Sequence, residues 1–257
     1  MDKIPYFLLT RIFEELSLRD AIHASYVSKA WHAVMVQYLY KTFNINRFLG
    51  SFTDAKGLLR AFRRSGAILS GSRAVSYFLP WHRLFTSNSD WDIYVPYPNY
   101  HIIHQELLAQ GYTHLVSTKP QKTPQDFILH NYLNAKSEKV QVVALTPERS
   151  LFECLIDFFH SLVQNFISGW GCCSLHWENT FDRRGFLAKR LEEFPEYEEL
   201  VIEKWAVRKF KLVRWKDREQ VNCRFTNVYV MYFPDGERGF GQGYLSLEEL
   251  ERELSLL

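Results

Sequence analysis

Residues 66–96 read GAILSGSRAVSYFLPWHRLFTSNSDWDIYVP. The run opens on apolar Ala67-Ile68-Leu69 and turns at Ser70-Gly71-Ser72. A helix is expected next, then a polar turn at Thr86-Ser87-Asn88-Ser89. It closes on Asp90-Trp91-Asp92-Ile93-Tyr94-Val95, which alternates polar and apolar. Side chains on a strand alternate between its faces. Asp90 and Asp92 are therefore expected on one face, with Trp91, Ile93 and Val95 on the other. Two carboxylates on one face repel unless a cation or hydrogen-bond donors stand between them. A Gly-Ser turn at a strand-to-helix junction exposes backbone N–H groups and a hydroxyl, a cradle for phosphate. Together these parts suit a metal-bound nucleotide. The same residues also fit a plain turn followed by a strand whose aspartates face water.

The arrangement resembles the nucleotidyltransferase fold, the polymerase-beta-like superfamily. There a Gly-Ser pair opens a helix and an Asp-x-Asp pair sits on the next strand. The resemblance implies Gly71 and Ser72 at a triphosphate, and Asp90 and Asp92 as ligands of Mg²⁺ and, if the site is active, as its catalytic pair.

The chain has 257 residues, of which 47% are hydrophobic and 16% aromatic. That is enough for a packed core, in one large or two smaller domains. The formal net charge of +2 makes no electrostatic case for nucleic acid as a partner. The cysteines, Cys154, Cys172, Cys173 and Cys223, form no CxxC pair. Reduced thiols fit best, in the cytoplasm or nucleus. Cys172, Cys173 and His176 match no common zinc spacing and read as ordinary buried groups. The N-terminus MDKIPYFLLTRIF has no long apolar core, and no run approaches the length of a membrane helix.

Residues 4–43 place Leu8, Leu9, Ile12, Phe13 and Leu16 at helical spacing after Pro5. Ser17 and Asp20 suit the start of a second helix, and Ser28 the cap of a third that carries Trp31. Three helices in so short a stretch bury little surface and need a partner or the rest of the chain. The stretch resembles an F-box. Ile4-Pro5, Leu8-Leu9, Ile12-Phe13, Leu16, Arg19-Asp20, Val27-Ser28-Lys29, Trp31 and Tyr40 follow that family's order, with Ile4 for the usual Leu and Ser28 for the usual Cys. The resemblance implies binding to the Skp adaptor of a cullin ubiquitin ligase through an apolar helical face. The interface residues it implies are Ile4, Pro5, Leu8, Leu9, Ile12, Phe13, Leu16 and Trp31.

Residues 44–65 read as a connector with a short helix capped by Thr53 or Asp54. Arg60, Arg63 and Arg64 read as its solvated face, with phosphate binding the alternative. Residues 99–110 suit a helix ended by Gly111. Residues 126–133 and the β-branched run 139–145 suggest a hairpin. Residues 150–167 carry apolar positions at helical spacing, with His160 read as structural. Gly71-Ser72-Arg73-Ala74, Ser89-Asp90-Trp91-Asp92, Lys139-Val140-Gln141 and Phe159-His160-Ser161 together resemble a diverged, mostly fungal group of nucleotidyltransferase-like proteins. Beyond that, residues 196–205 read as helix, 207–215 and 221–233 as strands, and Gly236 to Gly243 as a flexible loop. Arg208, Lys209, Lys211 and Arg214 with Phe210 and Trp215 read as the wet face of an edge strand, or else as a surface for single-stranded nucleic acid. A last helix spans 245–256, with a capping box from Ser246 and Glu249.

The nucleotidyltransferase family places a third metal-binding carboxylate on a strand beside the Asp-x-Asp strand. The matching strand here, 139–145, offers Gln141 instead, and Glu138 and Glu148 lie at its ends. An amide cannot offset a second divalent ion. The reading is an α+β chain: an F-box at 1–46, a connector helix at 47–65, and a nucleotidyltransferase-like mixed sheet flanked by helices at 66–257. Its function is expected to be that of an adaptor that recruits a target protein through an inactive module and requires no cofactor. The alternative is a working Mg²⁺-dependent nucleotidyltransferase.

Overall fold

The structure is a computed structural model, described for residues 4–16, 18–50, 52, 54–79, 89–118, 127–220, 228–233 and 241–255. Its contacts divide the chain into two units, Met1–Phe48 and Leu49–Leu257.

The first unit is helical: α1 (Tyr6–Glu15), α2 (Leu18–Ser25), α3 (Lys29–Thr42) and the short α4 (Ile45–Phe48). Pro5 precedes α1, where its missing N–H costs nothing. Ser28 caps α3, its hydroxyl accepting from Trp31 N at 3.2 Å. Asp20 lies within the first turn of α2, and Ser17 falls outside the described residues. Phe13 is fully buried, with Trp31 edge-on at 5.7 Å and Tyr38 stacked at 6.1 Å. Leu9, Ala21, Val34, Met35 and Leu39 are buried as well.

The second unit runs α5 (Ala55–Ser65), β1 (Ile68–Ser70), α6 (Gly71–Phe78), β2 (Trp91–Pro96), α7 (Tyr100–Ala109), β3 (Thr113–Thr118), β4 (Phe127–Leu133) and β5 (Lys139–Leu145). It continues α8 (Leu151–Ile156), β6 (Asn165–Ile167), β7 (Gly171–Ser174), α9 (Trp177–Phe181), β8 (Arg184–Phe186), α10 (Pro195–Val207), β9 (Lys211–Val213), β10 (Val228–Tyr232), β11 (Gly241–Leu245) and α11 (Leu247–Ser255). Among the described residues nine strands form one mixed sheet, in the order β11-β10-β7-β6-β1-β2-β5-β4-β3. The β2–β5 pair is parallel and the other neighbours are antiparallel. β8 and β9 make a separate parallel pair.

The expected α+β class, a helical N-terminal part before a mixed sheet with helices, is the observed one. β2 buries Trp91, Ile93 and Val95 and leaves Asp92 and Tyr94 partly exposed, as the alternation requires. Phe52 packs edge-on to Trp91 at 5.0 Å. On the other face Ile68, Leu155, Phe166, Leu250 and Leu254 form a core against which Tyr94 and Val143 pack. Val140, Val142 and Ala144 are fully buried in β5, which lies inside the sheet between β2 and β4. The 127–145 hairpin is formed, with Ile128 opposite Ala144 and Tyr132 opposite Val140. Asp54 caps α5 through Gly57 N at 2.8 Å. α5 buries Leu58, Leu59 and Phe62 within the larger unit.

Several expectations change. The helix expected over 150–167 ends at Ile156, and Asn165–Ile167 is instead a strand between β1 and β7. The Gln164 amide donates to Ile156 O at 2.9 Å and that of Asn165 to Leu162 O at 2.6 Å. Side-chain amides thus take carbonyls that a continuing helix would have used. Of 207–215 only Lys211–Val213 is a strand, because α10 extends through Val207 and Lys209 turns at φ 64°. Gly241 and Gly243 lie in β11, paired with β10, rather than in a loop. Gly236, Gly239 and 221–227 lie outside the described residues. The C-terminal capping box is present: Ser246 N donates to Glu249 Oε2 at 2.7 Å and Glu249 N to Ser246 Oγ at 3.2 Å.

Candidate functional site

β1 and β2 run antiparallel with Ser70 opposite Asp92. The chain then leaves β1 through Gly71, whose φ of 73° is left-handed and suits glycine. A side chain at Gly71 would collide with the Asp92 carboxylate. Asp92 thus stands at the first turn of α6. Ser70 does not cap that helix through its side chain; its hydroxyl lies 2.9 Å from Val163 O and 2.8 Å from Asn165 O. Ser72 and Asp90 are both half-buried near this turn. The sheet thus brings Gly71 and Asp92 into direct apposition, with Ser72 and Asp90 adjacent to them in the chain.

Across the sheet the register sets four polar residues in a row. Asn131 on β4 faces Gln141 on β5, Gln141 faces Asp92 on β2, and Asp92 faces Ser70 on β1. The Gln141 amide donates to Asn131 Oδ1 at 3.2 Å. The neighbours of Asp92 on this side are therefore amides. Glu138 accepts from Asn134 Nδ2 at 2.7 Å in the β4–β5 turn, and Glu148 is exposed beyond β5. Among the described residues no group of three or more His, Cys, Asp or Glu is placed to hold a metal ion.

Arg73 lies in the first turn of α6. Its Nε donates to Ser89 O at 3.0 Å, and its guanidinium stands 4.6 Å from the centre of the Trp91 ring. Burial pulls its pKa down, and the nearby carboxylates of Glu138, Asp90 and Asp92 oppose that. Burial pushes the Asp92 carboxyl up to about 7, with Asp90 adding to the rise and Lys204 and Arg73 working against it. Arg73 keeps its proton, so its charge opposes that of Asp92 without relaying a proton. Arg73 is legible as part of the Gly-Ser-Arg-Ala run. Lys204, from α10, left no signal in the sequence.

Other candidates find structural roles. His160 is buried edge-on to Trp205 at 4.9 Å. Burial first, then Lys204 and Arg208, lower its pKa to about 3. Cys172 and Cys173 are buried free thiols, and His176 Nε2 lies 3.0 Å from Gln164 Oε1. Arg60 pairs with Asp54, while Arg63 donates to Gly169 O at 2.8 Å and lies over Trp170. The nucleic-acid surface does not assemble: Phe210 is buried, Arg214 binds Glu198 and Glu199, and Arg208 lies over Trp205.

In the helical unit the expected interface residues separate into two sets. Ile4, Leu8 and Ile12, spaced by four along and before α1, are 46%, 44% and 38% exposed. Pro5 and Phe7 are exposed beside them. Leu9 and Phe13 point inward, and Leu16 and Trp31 are half-buried.

Among solved structures the chain is similar to one described as the structure of CCA-adding enzyme apo form I. The identity is 13% and the TM-score 0.45, over 68% of this chain and 44% of that one. The chain thus spans less than half of that protein's length. No curated protein matches it. A family model for the F-box domain matches residues 1–38, so the N-terminal helical unit carries an F-box domain.

Proposed function

We propose that this chain is an F-box adaptor. Its helical unit binds the Skp subunit of a cullin ubiquitin ligase, and its larger unit recruits the protein to be modified, in the cytoplasm or nucleus. The observation that carries the reading is the row Ile4, Leu8, Ile12: large apolar side chains left exposed along and just before an F-box helix. A helix face of this kind is stabilised by docking on an apolar partner. The amide of Gln141 beside Asp92, with Asn131 beyond it, supports a larger unit that resembles a nucleotidyltransferase in layout but works without that chemistry. In that role it needs no cofactor. The test is capture of a Skp adaptor by the full chain, and by Leu8→Glu and Ile12→Glu variants. Capture by wild type that both variants lose supports the reading, and undiminished capture by the variants defeats it.

One observation favours a second reading. Asp92 stands against Gly71 at the first turn of α6, which has no side-chain cap from Ser70, and there a Mg²⁺-bound nucleotide would sit against Gly71, Ser72, Asp90 and Asp92. Transfer of labelled nucleotide to any acceptor, abolished in Asp92→Ala, would establish an active nucleotidyltransferase.

A further inference from the structure

Helix α10 carries an apolar stripe that the fold does not use. Its inward side is Val201 and Trp205, packed in a core with Leu191, Phe210 and Leu212, plus Glu198, which binds Arg214. Another side shows Tyr197, Leu200 and Val207, exposed by 45%, 61% and 86%. Phe159 stands edge-on to Tyr197 at 5.4 Å and is itself 43% exposed. At 3.6 residues per turn, Tyr197, Leu200 and Val207 fall within an arc of roughly 80°, and Glu196, Glu199 and Glu203 fill the adjoining roughly 60°. Lys204 shares the apolar arc; its field reaches Asp92 and His160, and its methylenes extend the stripe. Glu199 is held by Arg214. Glu196 and Glu203 are exposed and have no ion pair among the described residues.

Exposed apolar side chains on one side of a helix, bordered by unpaired carboxylates, have a definite complement: an apolar stripe flanked by cations. A nucleic acid carries the wrong sign, and the two-residue period of a strand does not match the spacing of the stripe. We infer that this face of α10 docks a basic amphipathic helix of the recruited protein, its apolar side on Tyr197, Leu200 and Val207 and its lysines or arginines toward Glu196 and Glu203. The biological role rests on the adaptor reading; the binding itself does not.

The test uses the full chain. The probe is a fluorescent helical peptide of about 18 residues, built of Leu at i, i+3, i+4 and i+7 with Lys elsewhere. A second peptide carries Glu in place of Lys. The basic peptide is expected to bind, more weakly as salt rises, and the acidic one about tenfold less tightly or worse. Leu200→Ser is expected to weaken the basic peptide about tenfold, and Glu203→Lys to weaken it while strengthening the acidic peptide. Equal binding of both peptides, no binding of either, or unchanged binding to Leu200→Ser overturns the inference. So does sedimentation showing a dimer that Leu200→Ser makes monomeric, since the occupant is then a second copy. Skp capture by the wild-type chain is read in parallel. Its absence counts against the adaptor reading and leaves the peptide result standing.

Discussion

Gly71 stands against the carboxylate of Asp92 with no room for a Cβ between them. Two requirements meet at that glycine: a left-handed backbone and an empty side-chain position. Gly71→Ala is expected to lower stability by about 2–4 kcal/mol, from backbone strain plus overpacking. In an Asp92→Ala background the crowding is gone, and the cost should fall to the backbone part, about 1–2 kcal/mol. Chemical denaturation of the four species measures the coupling. Equal costs in both backgrounds would show that the carboxylate does not press on Gly71.

The amide row makes a prediction about metal. Gln141 faces Asp92 directly across a parallel strand pair, so Gln141→Asp places a third carboxylate there. The wild-type chain is expected to gain little thermal stability from millimolar Mg²⁺. The variant should gain several degrees, since a ligand that binds only the native state stabilises by RT ln(1 + [L]/Kd). A strong Mg²⁺ shift in the wild type would instead favour the nucleotidyltransferase reading. The measurement is a melting curve with and without the ion.

The buried imidazole of His160 sets an acid limit. Its pKa is lowered from 6.5 to about 3 by burial, with Lys204 and Arg208 adding to the drop. The unfolded chain therefore binds a proton at that residue in the window between those values, and the native state does not. Stability is fully present above pH 6.5 and is lost as the pH falls toward 3, by at most about 1.4 kcal/mol per pH unit for one proton. His176, lowered to about 4 by burial, acts with the same sign. His160→Gln should flatten the acid limb without abolishing it. Urea midpoints between pH 7 and pH 4 decide the matter; an unchanged slope would mean that His160 is protonated in the native state.

Local spacing explains what the sequence revealed. The alternation through Trp91, Ile93 and Val95, the β-branched run of β5, and the caps at Ser28, Asp54 and Ser246 each act within a few residues, and each is found in place. The 150–167 stretch misled because Leu155, Leu162 and Phe166 are all buried, yet not by one helix. A period of 3.6 shows which residues go inside and does not show that one element takes them there. The surroundings of Asp92 were half legible. Gly71 faces it through the pairing of two nearby strands, whereas Lys204 acts on it through tertiary packing alone. In the F-box the sequence marked apolar residues without saying which ones turn outward, since α1 carries apolar side chains on two sides.

That division is itself testable. Phe13 is fully buried against Trp31 and Tyr38, and Leu8 on the same helix is 44% exposed. Phe13→Ala should cost about 3–5 kcal/mol, enough to unfold a unit whose core is this small. It should lose Skp capture together with the helical unit's native signals. Leu8→Glu removes no core packing and should leave the melting curve within about 0.5 kcal/mol of wild type, as exposed substitutions usually do. It nevertheless places a charge in the middle of the proposed interface, where an unpaired buried carboxylate is costly. Circular dichroism and Skp capture, read on the same samples, separate the two. If Leu8→Glu unfolds the unit, its exposed row is part of the core. If it keeps both fold and capture, the Skp surface lies on another side of the helices.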